Sequence, residues 1–184
     1  MSSVKTVSIL AISGSLRSNS SNSIIVRFLS TLMPAHVSYS IYQGLGALPH
    51  FNDSVDGGQA VADLRRQVAE ADGVIICSPE YAFGVPGSFK NAIDWTVGSG
   101  EFENKPLVLI TAATGGEKAH AALLNILTAI SARVPADGTL LVPFVRSKLN
   151  EKNEVADAVL IKSLENIIRA LLGAIDEMRK EPST

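Results

Sequence analysis

Residues 73–91 read GVIICSPEYAFGVPGSFKN, and this stretch decides the fold. It opens with an unbroken apolar run at 74–77, passes through a loop that contains two prolines and two glycines, and continues into a helical pattern. A short apolar run without alternation is typical of a strand that is covered on both faces, as in a parallel sheet. Residues 107–110, Leu-Val-Leu-Ile, repeat the apolar run later in the chain.

Strand and helix patterns alternate outward from this stretch along the whole chain. The sequence predicts five strands, at 5–13, 37–42, 73–78, 106–112 and 138–143. It predicts helices at 22–32, 58–71, 87–97, 117–133 and 154–179. Such alternation implies a parallel sheet with helices on both faces, and five strands suit the order 2-1-3-4-5. We therefore predict an α/β fold, a flavodoxin-like three-layer sandwich formed by a single domain over residues 1–184.

The composition argues against several classes of function. The formal net charge is −2 and no basic stripe is present, so neither a nucleic-acid partner nor a membrane contact is expected. The apolar runs are far shorter than the ~20 residues that span a bilayer. The single cysteine cannot form an internal disulfide, and the cytoplasm is the expected location.

The loop after the first strand reads SGSLRSNSSNS at 13–23 and leads into a helix. Ligands of open α/β sheets bind beyond the carboxyl ends of the strands, where a helix N-terminus offers unpaired N–H groups to a phosphate. Ser15, Arg17, Ser20 and Asn22 add hydroxyl, guanidinium and amide donors. The loop lacks the glycine spacing of dinucleotide sites and P-loops, so the phosphate of a mononucleotide is expected. The alternative is a flexible loop that only caps the helix.

The loop after the third strand has a backbone path fixed by its prolines and glycines. Its N–H groups can meet the edge of a flat heterocycle, and Tyr81 and Phe83 can supply apolar contact to the ring. The turn at 113–116, Ala-Thr-Gly-Gly, can add further N–H groups after the fourth strand. The alternatives are a tight turn before an amphipathic helix in the first case and a plain helix start in the second.

Two stretches resemble the NADPH-dependent FMN reductase family: GSLRSNSSN at 14–22 and PEYAFGVPGSFKNAIDW at 79–95. The similarity runs in order over about residues 5–145. It implies a flavodoxin-like fold, bound FMN, and NADPH or NADH as co-substrate. The residues that it implies for the FMN phosphate are Ser15, Arg17, Ser20 and Asn22. The residues that it implies around the flavin ring are Pro79, Glu80, Tyr81, Ala82 and Phe83, with Thr114 and Gly115 at another ring edge. Many members have Asn-Gly where this chain has Ala82-Phe83, so the acceptor preference does not carry over.

The function that follows is an FMN-dependent oxidoreductase. Hydride would pass from NAD(P)H to the flavin, and the electrons would pass on to a small acceptor such as a quinone, azo compound, metal oxyanion or free flavin. Because the flavin carries this chemistry, no catalytic side chain is expected. The main alternative is a flavodoxin-type electron carrier that does not oxidise NAD(P)H. A reductase that releases reduced FMN to a partner, and a mononucleotide-binding protein without a redox role, are further alternatives.

Several other residues are expected to be structural. Cys77 lies within a buried strand, where a thiol is unreactive. His36, His50 and His120 have no second ligand at metal-binding spacing, so no metal is predicted. Glu80 is expected to fix its loop rather than to transfer protons.

The helix predicted at 117–133 is apolar on nearly every face. Since a helix that packs on an open sheet has an outer face to cover, we predict that a second subunit covers it. The low charged fraction of 18% also favours an oligomer, either a homodimer or a homotetramer.

Overall fold

The computed structural model describes residues 6–181 and arranges them around a five-stranded sheet. The strands are β1 (Val7–Ser13), β2 (Val37–Ile41), β3 (Gly73–Ser78), β4 (Leu107–Ala112) and β5 (Thr139–Val142). Neighbouring strands pair in parallel, in the order β2-β1-β3-β4-β5. The predicted fold class and strand order are confirmed.

Five helices cover the two faces of the sheet. They are α1 (Ser21–Leu29), α2 (Gly58–Glu70), α3 (Gly87–Val97), α4 (Glu117–Ala129) and α5 (Ala158–Met178). Helices α1 and α5 pack on one face, and α2, α3 and α4 pack on the other. None of the helices within residues 6–181 is long and apolar enough to cross a bilayer.

Burial on both faces explains the unbroken apolar runs in the sequence. Strands β3 and β4 are buried along their whole length. Successive residues of a strand point to opposite faces, so Val74 and Ile76 enter the core under α2 and α3. Ile75 and Cys77 enter the core under α1 and α5. A polar residue at any of these four positions would meet apolar side chains.

Three predicted helix boundaries were wrong. Helix α5 begins at Ala158 rather than at 154, because Asp157 caps it by accepting the N–H of Leu160 at 2.7 Å. Helix α4 ends at Ala129 rather than at 133, and the chain reverses through Ser131 at a φ of +55°. Helix α1 ends at Leu29, and a 3₁₀ turn covers the rest of the stretch predicted to 32. The predicted start of the first strand at residue 5 lies outside the described residues.

Candidate functional site

Four loops meet beyond the carboxyl ends of the strands and enclose a cleft of about 120 Å³. Its walls are residues 20–22 before and within α1, residues 79–81 after β3 and residues 112–114 at the end of β4. Arg17, Val145 and Arg146 complete the lining. The strand order reverses between β1 and β3, and parallel α/β sheets bind their ligands at this point. The chain therefore forms a cleft where its topology predicts a ligand site.

The first wall depends on a close approach between the ends of β1 and β3. Gly14 donates its N–H to the carbonyl of Cys77 at 2.8 Å. A Cβ at position 14 would lie 2.7 Å from the Oγ of Ser78, so no larger residue fits without a shift. The backbone of Gly14 does not have a positive φ. The glycine is therefore needed because there is no space for a side chain, and not because of its backbone conformation.

Two of the predicted phosphate ligands at the start of α1, Ser20 and Asn22, already form hydrogen bonds with other groups of the protein. The Oγ of Ser20 caps the helix by accepting the N–H of Ser23 at 3.1 Å. The buried side chain of Asn22 donates to the carbonyl of Ala112 at 2.9 Å and accepts from the thiol of Cys77 at 3.2 Å. Asn22 thus ties α1 to both β3 and β4. The N–H groups of Ser21 and Asn22 have no partner within residues 6–181, and they lie at the positive end of the helix.

Two arginines make this side of the cleft positive. Arg17 and Arg146 both line it, and neither side chain forms a hydrogen bond or ion pair within the part of the chain that the structure describes. Ser15 lies behind them and is only 7% exposed. Its Oγ accepts the N–H of Arg17 at 3.3 Å and lies 3.4 Å from the hydroxyl of Tyr81. Free guanidinium groups beside free helix N–H groups are suited to binding a phosphate.

The opposite wall contains a strained two-residue turn. Tyr81 and Gly84 exchange backbone hydrogen bonds of 3.0 and 2.9 Å. Between them, Ala82 and Phe83 have φ values of +49° and +60°. A type I′ turn requires these left-handed values and favours Asn-Gly, which adopts them at low cost. Phe83 is 79% exposed, so its side chain extends from the rim of the cleft into solvent.

Glu80 fastens this loop to α4. Its Oε2 accepts the N–H of Ala119 at 2.9 Å, in the first turn of the helix. A carboxylate is stabilised at the positive end of a helix. The expected role of Glu80 in fixing its loop is confirmed.

The loop after β5 joins the cleft through the loop after β4. Phe144 donates its N–H to the carbonyl of Thr114 at 3.0 Å, and Val145 donates to Ala113 at 3.1 Å. Phe144 has a φ of +50° and is 67% exposed. These bonds bring Arg146 to the cleft.

The structure brings most of the predicted site residues together. Seven of them line the cleft: Arg17, Ser20, Asn22, Pro79, Glu80, Tyr81 and Thr114. Ser15 lies behind the first loop, Ala82 and Phe83 lie on the rim, and Gly115 is next to the cleft without lining it. Sequence reasoning missed Arg146, although its position just after the fifth strand was a usable signal.

Residues outside the cleft behave as structural groups. Burial raises the pKa of the Cys77 thiol well above its usual range, which confirms a core role. Burial also lowers the pKa of His120, whose Nδ1 lies 2.8 Å from the hydroxyl of Thr111. Within residues 6–181, no group of three His, Cys, Asp or Glu side chains is placed to hold a metal ion.

Comparison with known proteins agrees with this arrangement. Residues 7–147 match the family model described as NADPH-dependent FMN reductase. A quinone reductase of Escherichia coli is 30% identical over 159 residues, which are 81% of this chain and 85% of that protein. An NADPH azoreductase of a Bacillus species is 37% identical over 101 residues, 50% of this chain and 56% of that protein. The flavoenzyme NAD(P)H:(acceptor) oxidoreductase FerB of Paracoccus denitrificans superimposes with a TM-score of 0.75 at 26% identity, covering 94% of this chain and 98% of that one.

Proposed function

This chain belongs to the NADPH-dependent FMN reductase family, and from that membership we propose that it holds FMN in the cleft and reduces small quinone-type or azo acceptors. It is an oxidoreductase that uses FMN and NAD(P)H. One observation carries the assignment of the cleft: arginines and N–H groups that have no partner among residues 6–181 meet an aromatic rim at the carboxyl edge of the sheet.

The phosphate end of FMN fits the side of the cleft next to α1. Arg17 would bind it through charge-assisted hydrogen bonds, together with the free N–H groups of Ser21 and Asn22. Arg146, which also lines the cleft, would add a second positive charge. Ser20 and Asn22 would act mainly by holding the helix start in place, because their side chains already have protein partners.

The ring end of FMN fits the loops after β3 and β4. Residues 79–83 would flank it, and the N–H groups of Thr114 and Gly115 would face another edge of the ring. The cleft measures about 120 Å³, less than the roughly 300–1,000 Å³ of typical ligand pockets. Part of FMN would therefore stay uncovered, where a second molecule can reach it. When bound, FMN supplies the redox chemistry by accepting hydride from NAD(P)H and passing electrons to an acceptor.

The side chains around the cleft hold ligands rather than transfer protons. Glu80 is committed to the N-terminus of α4, and Cys77 is buried. At the rim, Phe83 and Phe144 offer two exposed aromatic side chains. Such side chains favour a flat, apolar acceptor through ring contact.

We further propose a cytoplasmic homodimer or homotetramer. Helix α4 supports this less strongly than its sequence suggested. Leu123 and Leu127 are buried, and Leu124 and Ile126 pack partly against the same core. Light scattering during gel filtration would test the oligomer, and a monomer at high concentration would refute it.

An anaerobic absorbance spectrum tests the proposed activity. The FMN-reconstituted protein would be recorded before and after addition of NADPH, with NADH in parallel. We expect the oxidised-flavin band to bleach and to recover when a quinone is added. A bound flavin that neither coenzyme bleaches would instead indicate a flavodoxin-type electron carrier. A protein that binds no FMN would refute the proposed role of the cleft.

A further inference from the structure

Both ends of the first loop, residues 14–22, are attached to one residue of β3, Cys77. Gly14, at the start of the loop, donates its backbone N–H to the carbonyl of Cys77 at 2.8 Å. Asn22, in the first turn of α1, accepts a hydrogen bond from the thiol of Cys77 at 3.2 Å. Arg17 and the start of α1 therefore belong to a segment whose two ends are fixed to the sheet by a single residue.

The direction of the thiol hydrogen bond follows from the other contact of Asn22. The side-chain Nδ2 of Asn22 donates to the carbonyl of Ala112 at 2.9 Å, and a carbonyl oxygen can only accept. This contact leaves Oδ1 of Asn22 beside the sulfur of Cys77, and Oδ1 can also only accept. The thiol is therefore the donor. Burial raises the pKa of Cys77 well above its usual range, so the thiol keeps the proton that this bond requires.

Packing alone does not require a polar contact at this position. Ile75, on the same face of β3, fills the same core with an apolar side chain. Within residues 6–181, the thiol of Cys77 is the only group that donates to Oδ1 of Asn22, and both side chains are buried. A buried oxygen that loses its donor is unfavourable, so removal of the thiol favours a shift of the Asn22 side chain away from its present contacts.

A shift of Asn22 would reach the proposed phosphate site through the backbone. Asn22 is part of α1, and its N–H is one of the two at the helix start that have no partner within the described residues. Hydrogen bonds of N–H groups to oxygen span only about 2.7–3.2 Å and weaken steeply when they bend. A small displacement of the helix start would therefore weaken its bonds to a phosphate.

We propose that Cys77 is a positioning residue for the phosphate of FMN: its thiol orients Asn22, and Asn22 holds the start of α1 in the geometry that binds the phosphate. Cys77 is buried and does not itself contact the ligand. The proposal rests on the proposed binding of FMN in the cleft. It gives the thiol a function besides filling the core.

Binding titrations with two flavins test the proposal. Riboflavin has the ring and the ribityl chain of FMN but no phosphate, so it reports any change that does not concern the phosphate. In fluorescence titrations of the FMN-free protein, Cys77→Ala should raise the Kd for FMN about fivefold or more and the Kd for riboflavin less than about twofold. Cys77→Ser keeps a hydroxyl donor, and it should bring the Kd for FMN back to within about twofold of wild type.

Ile75→Val is the matched control for packing. Ile75 is buried on the same face of β3, and the substitution also removes one heavy atom from the core. It should lower Tm and leave both flavin affinities unchanged. Cys77→Ser should also lower Tm, because it places a hydroxyl among apolar side chains. Recovery of FMN affinity at reduced stability would separate positioning from packing.

A second substitution tests whether Cys77 acts through Asn22. In Asn22→Ala the thiol has no acceptor, so adding Cys77→Ala should change the ratio of the FMN and riboflavin affinities less than about twofold. If the thiol acted by another route, the second substitution would lower that ratio as much as it does in wild type, and the proposal would fail.

Hydrogen exchange of the Asn22 side-chain amide, measured by NMR on the FMN-free protein, does not depend on flavin binding. Exchange should be slow in wild type and in Ile75→Val, and about fivefold or more faster in Cys77→Ala. Unchanged exchange in Cys77→Ala would show that the thiol does not hold Asn22.

Three results of the titrations would overturn the proposal: unchanged FMN affinity in Cys77→Ala, equal losses with FMN and riboflavin, or a serine variant no better than the alanine variant. If wild type bound neither flavin, the proposed role of the cleft would fail instead. The exchange measurement would still decide in that case whether the thiol of Cys77 orients Asn22.

Discussion

Replacing alanine with glycine should stabilise the protein in the turn between Tyr81 and Gly84 and destabilise it within helix α4. Ala82 has a φ of +49°, in the left-handed region where a Cβ is unfavourable by about 1–2 kcal/mol. Ala82→Gly should relieve this strain. Glycine also raises the conformational entropy of the unfolded chain, which lowers the stability by about 0.4–1 kcal/mol. The expected net result is a gain of about 0.5–1 kcal/mol, or about 1–4 °C in Tm for a protein of this size.

Ala121→Gly is the matched control. Ala121 is also exposed, but it lies within α4, where glycine costs about 1 kcal/mol relative to alanine. Its Tm should fall by about 2–4 °C. Phe83→Gly is less informative, because it removes a whole aromatic side chain together with the strain.

Thermal denaturation of the FMN-free protein, followed by the fluorescence of the single buried Trp95, measures both changes in Tm, and chemical denaturation measures the changes in free energy. Removing FMN matters, because a ligand that binds only the folded state would change the apparent stability. If Ala82→Gly destabilised the protein as much as Ala121→Gly, the left-handed conformation of Ala82 would be refuted.

Three further predictions concern the first loop, the buried thiol and the partly exposed ion pair of Asp72 and Arg179. Arg17→Ala should weaken FMN binding at least about tenfold with the fold intact, and an unchanged dissociation constant in a fluorescence titration would place the phosphate elsewhere. Cys77 should resist a thiol reagent in the native protein and react after unfolding, because burial raises the pKa of its thiol; rapid native labelling would contradict its buried position. Burial raises the pKa of Asp72, but hydrogen bonds from Ser8 and Arg179 outweigh burial and hold that pKa below its ordinary value. This contribution to stability is present above the unfolded pKa and is lost as the pH falls through the lower folded pKa, so Tm should fall less below about pH 4 in Asp72→Asn than in wild type.

The sheet could be predicted from the sequence because its signals are local. The unbroken runs in β3 and β4 are buried on both faces, and each is followed by a loop and a helix. The helix ends were harder to predict, since they depend on single contacts such as the cap of α5 by Asp157. In α4, the apolar pattern continued past the true end because Ile130 and Ala132 still pack against the core from a turn.

The candidate site was predictable in location but not in detail. The loops that follow strands of a parallel sheet meet at one edge, so motifs far apart in sequence could be placed together. The contacts of Asn22 with Cys77 and Ala112 join residues 55 and 90 positions apart, and no local pattern encodes them. The bond from Ala119 to Glu80 is likewise long-range. The sequence therefore indicated possible hydrogen-bond donors for a ligand, but it did not show which of them already have partners within the protein.

Among the described residues, backbone strain is concentrated at the rim of the cleft, and Ser131, in the turn after α4, is the exception. Asn104 and Asn153 have positive φ at turns away from the cleft, and asparagine tolerates this conformation. Ala82, Phe83 and Phe144 have it at the rim of the cleft, where their side chains make it unfavourable. Such strain persists only where the surrounding structure enforces it, and it is found preferentially at functional sites.

Backbone hydrogen bonds hold the strained residues in their left-handed conformations. Reciprocal hydrogen bonds between Tyr81 and Gly84 close one turn, and the bond from Phe144 to Thr114 holds the other. Because asparagine or glycine would fit both turns better, the turn geometry alone does not account for an exposed phenylalanine in each. Ring contact with a flat acceptor, as proposed above, gives these residues a role that the favoured turn residues could not fill. On this reasoning, Phe83→Gly should raise the KM for a quinone much more than it weakens FMN binding or slows ferricyanide reduction, and equal losses with both acceptors would contradict it.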